Sequence, residues 1–149
     1  MRLFAAVLIC ISTSTQASIE APGLSDREYR FLSLPNALKV LLISDPTTDK
    51  AAASMDVFVG TNNDPANFPG LAHLLEHMLF LGTDRYPEAS EYQQFISDQA
   101  GSHNAFTAPE QTNYFFSLNP KALEPALDRF SRFFIAPTLD PAYVDREVN

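Results

Sequence analysis

The chain holds one cysteine, no tryptophan and only five glycines in 149 residues, and its ten lysines and arginines face eighteen aspartates and glutamates. Each shortage excludes something. A lone cysteine, Cys10, cannot close a disulfide within the chain, so burial rather than cross-linking must hold the fold, and 149 residues give one domain of ordinary size the core to do so. A formal net charge of −8 lacks the basic footprint on which nucleic-acid binding rests, so no nucleic-acid partner is expected. No apolar run approaches the roughly 20 residues of a spanning helix, so no stable membrane anchor is expected. Few glycines beside eleven prolines give rigid loops rather than low complexity.

The first residues, "MRLFAAVLICISTSTQA", set one positive charge, Arg2, before an apolar run from Leu3 to Ile11, then a Ser/Thr-rich stretch ending in the small residue Ala17. This is the layout of a secretory signal peptide over residues 1–17. It predicts an exported chain, periplasmic or secreted, whose mature part starts at Ser18, lacks cysteine, and carries −9 once Arg2 is gone from the −8 total.

The remainder mixes strands and helices without strict alternation, which predicts an α+β fold in which a mixed or antiparallel sheet packs against helices. Residues 18–29 read as a polar lead-in. "FLSLPNALKVLLIS" reads as strand, turn and strand about Pro35-Asn36, and "AAASMDVFVG" as a third strand. A helix is expected over Leu71–Leu81 and a second over 87–100. "SHNAFTA" and "TNYFFSLN" read as two strands. "KALEPALDRFSRFFIAP" is an amphipathic helix with Leu123, Ala126, Leu127, Phe130, Phe133 and Phe134 on one face, and another helix is expected to begin after "PTLDPAY", residues 137–143.

The chemistry concentrates in "GLAHLLEHMLFLGT", residues 70–83, where His73, Glu76 and His77 sit among leucines, Met78 and Phe80. Four residues apart on a helix, His73 and His77 stack on one face and can share one Zn2+ ion. Glu76 leans over the same place and can act as a general base toward a water there. The order H-x-x-E-H is the inverzincin pattern, the reverse of the commoner zinc-peptidase motif. The same residues could also be two core histidines and a helix glutamate in ordinary hydrogen bonds, and the spacing alone leaves both readings open.

Longer stretches carry a resemblance. "FPGLAHLLEHMLFLGTDRYP" closely resembles the active-site helix of the pitrilysin and insulin-degrading enzyme (insulinase) family of zinc metallopeptidases. "AGSHNAFTAPEQTNYFFSL" resembles the strand pair that follows it there, and "ALDRFSRFFIAPTLD" with "DREVN" the later helices; the match runs from about Phe31 to Asn149. The resemblance implies an endopeptidase that binds one Zn2+ through His73 and His77 and uses Glu76 as catalytic base. It implies that an extended peptide substrate pairs with a sheet edge at Asn104, Ala105 and Phe106, and that Phe80 lies near the pocket beside the scissile bond. Simple core or edge packing is the other reading of Phe80 and Phe106.

A catalytic zinc takes three protein ligands and a water. Two are here. In the family the third is a glutamate a short way beyond "REVN", so it is expected beyond Asn149, and Glu147 matches the earlier acidic residue that supports the site from behind a ligand. Residues 18–149 are therefore read as an incomplete N-terminal portion of the first peptidase domain, completed in the family by further domains of the same chain. The other class of function is a truncated or non-catalytic chain that binds peptide or a partner by its sheet edge.

Overall fold

The computed structural model describes residues 26–148. The expected leader over 1–17, with Cys10, lies outside the described residues, as does Asn149. The fold is α+β, as the sequence predicts, and divides at Thr48 and Asp49 into two units.

In the first unit, β1 (Glu28–Ser33) and β2 (Lys39–Ser44) form an antiparallel hairpin in which Ser33 pairs with Lys39 and Glu28 with Ser44. The turn falls on Pro35-Asn36. Proline presets the backbone of the second turn position, Ala37 donates its amide to the Leu34 carbonyl at 2.9 Å, and the Asn36 side chain accepts from the Leu38 amide. Strand β1 begins at Glu28, three residues before the expected start, because the ladder continues outward to Ser44.

In the second unit, β3 (Ala51–Val57), β4 (Ser102–Thr107) and β5 (Thr112–Leu118) form an antiparallel sheet in the order β3-β5-β4. Strand β5 is central, and its pleat buries Thr112, Tyr114, Phe116 and Leu118 on one face while Phe115 points to the other. Register places His103, Ala105 and Thr107 of β4 beside that buried face, and Asn104 and Phe106 beside Phe115 on the open one.

Among the described residues the α-helices are α1 (Leu71–Met78), α2 (Glu91–Asp98), α3 (Leu123–Ile135) and α4 (Pro141–Val148). The buried face of β5 packs with Tyr92 and Ile96 of α2 and with Ala126, Phe130 and Phe133 of α3. Phe116, Ile96 and Leu118 are the largest fully buried side chains, each contributing roughly 1.5–3 kcal/mol by leaving water. Leu127, expected on the apolar face of α3, is 42% exposed, because the buried stripe follows Ala126, Phe130 and Phe133 one position round the helix. Asn119 starts the run into α3 by accepting from the Lys121 amide, with Pro120 next in a short 3-10 turn. Among the described residues no helix is long and apolar enough to cross a membrane.

Candidate metal centre

The left-handed Gly70 (φ 90°) begins α1 and offers no side chain to cap it. Asp64 does so from the preceding loop: its carboxylate accepts from the backbone amides of Gly70 at 2.7 Å and Ala72 at 2.8 Å. A carboxylate on first-turn amides suits both the unsatisfied donors and the positive end of the helix dipole. The axis of the helix that carries the motif is thereby fixed against the loop.

On α1 the imidazoles of His73 and His77 stand edge to face, ring centroids 4.8 Å apart, with their Nε2 atoms 3.2 Å from each other. Two nitrogens bound tetrahedrally at about 2.0–2.1 Å from one zinc ion would be about 3.3 Å apart. Donor type and separation both fit. One ligand atom from each of His73, Glu76 and His77 can be chosen so that all lie within 4.8 Å of one another, so the three form a group able to hold a metal ion.

The two imidazoles are exposed, whereas Glu76 is only 7% exposed. Its Oε2 accepts from the hydroxyl of Thr107, the last residue of β4, at 2.5 Å. The Nδ1 of His77 lies 3.1 Å from Oε2 of Glu147 on α4. A carboxylate only accepts, so Nδ1 carries the proton and Nε2 is left with its lone pair toward His73. Hydrogen bonds from His77, and then from Arg146, hold the Glu147 carboxyl below the usual carboxylate range. Arg146 itself stacks on Tyr143, 4.7 Å from the ring centroid.

A cavity of about 250 Å³ opens beside these groups, lined by Glu76, His77, Phe80, Leu81, Gln93, His103, Asn104, Ala105 and Glu147. A second, of about 480 Å³, lies on the side of His73 and includes Phe68, Leu71, Leu74, His77 and Glu147. The structure therefore brings together six of the sequence-singled residues at the first cavity, with His73 across the imidazole pair. It leaves Phe106 out: that ring is 46% exposed on the open sheet face and lines neither cavity. Phe80 both lines the first cavity and packs among Tyr92, His103, Tyr114 and Phe133, with centroids between 5.2 and 6.2 Å. Sequence reasoning missed Asp64, Gln93, His103 and Thr107. For His103 and Thr107 the signal was present, since alternation along β4 puts them on the face of Ala105, toward α1 and α2. Burial lowers the pKa of the His103 imidazole, which favours its neutral form.

A sequence model of the insulinase family, Peptidase family M16, matches residues 39–149. The chain belongs to that family of metallopeptidases. It is 60% identical over 123 residues to the insulin-degrading enzyme of Mus musculus, a match covering 83% of this chain and 12% of the relative. The crystal structure of pitrilysin superimposes with a TM-score of 0.87 at 38% identity, over 90% of this chain and 14% of that one. The chain thus spans about an eighth of the length of such relatives. One expectation is overturned. An Arabidopsis thaliana relative, 49% identical over 139 residues (92% of this chain, 14% of the relative), is named insulin-degrading enzyme-like 1, peroxisomal, and so belongs to an organelle inside the cell. The expectation of an exported chain is corrected accordingly. It rested on an apolar run behind one arginine, and hydrophobicity of that kind does not by itself fix a compartment.

Proposed function

We propose that the protein carrying this chain is a zinc-dependent endopeptidase whose base is Glu76 and whose first two metal ligands are His73 and His77, one ion per chain. The observation that carries this reading is the convergence of two imidazole Nε2 atoms, 3.2 Å apart, with a buried carboxylate beside them on the same helix. Residues 39–149, which match the family model, are then an N-terminal portion of the first peptidase domain, and the third protein ligand comes from a later helix of the full-length protein, as the family resemblance implies.

Bound there, zinc would supply a Lewis acid that lowers the pKa of water to about 7 and polarises the scissile carbonyl. The chain's own groups do the rest. Glu76 takes a proton from the attacking water and passes it to the leaving amine, so the carboxylate ends as it began. Glu147 fixes the tautomer and ring plane of His77 by accepting from Nδ1. Strand β4 stands at the end of the described β3-β5-β4 sheet, with its outer backbone groups open to an extended peptide. Asn104 and Ala105 bring that edge to the cavity holding Glu76, so a peptide added to β4 runs past the base. Phe80 closes the cavity wall where the side chain next to the scissile bond would enter, and Phe106 contacts the peptide further along the open face.

The test is hydrolysis of a quenched fluorescent peptide by the zinc-loaded, full-length protein. Glu76→Gln should abolish cleavage while zinc content and peptide binding persist. Full cleavage by that variant would sink the reading. Peptide binding without cleavage by the unmutated protein would favour a non-catalytic chain that uses its sheet edge.

A further inference from the structure

We infer that Thr107 is a positioning residue for the catalytic base: its hydroxyl pins one oxygen of Glu76 and leaves the other to face the water between the histidines. The inference rests on the reading of Glu76 as that base. A carboxylate that is 7% exposed needs a hydrogen-bond donor, and Thr107 gives one from another element, 31 residues along the chain. A hydroxyl has one proton. Thr107 gives it to Glu76 Oε2, and the neighbouring Thr112 hydroxyl, 3.5 Å away, gives its own to the Val59 carbonyl at 2.9 Å.

Two features make Thr107 a fixed pin rather than a passing contact. It pairs with Thr112 at the end of the β4–β5 ladder, so sheet register sets the position of its backbone. It is also β-branched, and the second heavy atom on Cβ restricts its rotamer. Glu76 alone would rotate about its terminal torsion, which is broad for a carboxylate. With one oxygen tied to a strand and the backbone tied to α1, the free oxygen has a single direction. Positioning of that kind lowers a barrier without adding any contact to substrate.

The experiment uses full-length protein with Thr107→Val, which keeps the shape and removes the hydroxyl, and Thr107→Ser, which keeps the hydroxyl. Glu76→Gln and the double variant Glu76→Gln/Thr107→Val complete the set. Thr107→Val is expected to lower kcat about 10- to 100-fold, part of what a placed base contributes, with KM within about twofold. Thr107→Ser should regain most of kcat, and in the Glu76→Gln background the valine should change nothing further. Zinc content should be unaltered, and a crystal structure of metal-free Thr107→Val should show the Glu76 carboxylate turned from its hydrogen-bonded direction.

An unchanged kcat in Thr107→Val, beside an inactive Glu76→Gln, overturns the role of Thr107 while leaving the base in place. An active Glu76→Gln overturns both. Should the valine variant not fold, Thr107→Ala takes its place. Should neither fold, Thr107→Ser decides: near-normal kcat supports the pin, and loss of activity despite the retained hydroxyl overturns it.

Discussion

Glu147 and His77 are joined across 70 residues of chain, Oε2 lying 3.1 Å from Nδ1, so α4 is tied to α1 through an imidazole rather than through packed apolar side chains alone. The bond orders the metal-facing nitrogen before any ion arrives, because in a neutral imidazole a proton held on Nδ1 leaves the lone pair on Nε2.

Replacing Glu147 by alanine is therefore expected to weaken zinc binding by about 10- to 100-fold, the usual cost of losing such a supporting carboxylate. Competition with a chelator on the full-length protein measures it. Affinity equal to that of the unmutated protein would show that the contact does not order His77.

Much of this arrangement was legible in the sequence. A helix over the motif was expected, and with it the stacking of His73 on His77, since four-residue spacing on a helix alone decides that pair. The hairpin turn was legible because proline and asparagine have fixed backbone habits. The end of α1 was less so: the helix stops at Met78, and Phe80 and Leu81 bond back only three residues, to His77 and Met78, before the left-handed Gly82 (φ 108°) turns the chain. Tertiary contacts were the real gap. Period-two alternation says that Thr107 shares a face with Ala105, but not that a helix carboxylate waits opposite it. Nor does spacing reveal that Asp64, six residues before Gly70, folds back to cap α1. The grouping of Asn104, Ala105 and Phe106 followed the family resemblance, and the strand pleat divides it.

Asp64→Ala should loosen the first turn of α1. Two amides lose their acceptor, and loss of a cap of this kind costs about 0.5–2 kcal/mol. Faster hydrogen exchange at Ala72, with a lowered thermal midpoint, is the expected result. Protection at Ala72 as strong as before would mean that neighbouring packing, not the carboxylate, holds the helix start.

Alkaline stability should report on the groups under the site. Burial, and then the charge of Glu76, pushes the Tyr114 hydroxyl up to about 12, and burial raises Tyr92 as well. An unfolded tyrosine ionises near 10. The folded state thus keeps protons that the unfolded state releases, and the resulting stability is complete below about pH 10 and lost as pH rises toward 12. Tyr114→Phe, which retains the ring against Phe134, should move alkaline unfolding upward. A tyrosinate titration showing all five tyrosines near their ordinary value would contradict this.

The turn from α2 into β4 is a place where a single methyl group should do damage that reaches the site. Gly101 follows Ala100, itself at φ 51°, and donates its amide back to the Ile96 carbonyl at 2.9 Å, so the chain reverses in very little space. A Cβ at position 101 would lie 2.4 Å from the Ser117 carbonyl oxygen and 2.8 Å from that of Ile96. Both are backbone atoms of packed elements and cannot swing aside as a side-chain end could. The strand must therefore shift away from β5, and a shift there travels along the register to Asn104 at the cavity and to Thr107 at Glu76. Gly101→Ala is expected to destabilise the fold by about 1–3 kcal/mol or more, and to lower kcat beyond what the residual folded fraction accounts for. Thermal unfolding and single-turnover hydrolysis on the same preparation separate the two effects. A stable variant with normal turnover would mean that the α2–β4 turn relaxes without moving the strand that carries Thr107.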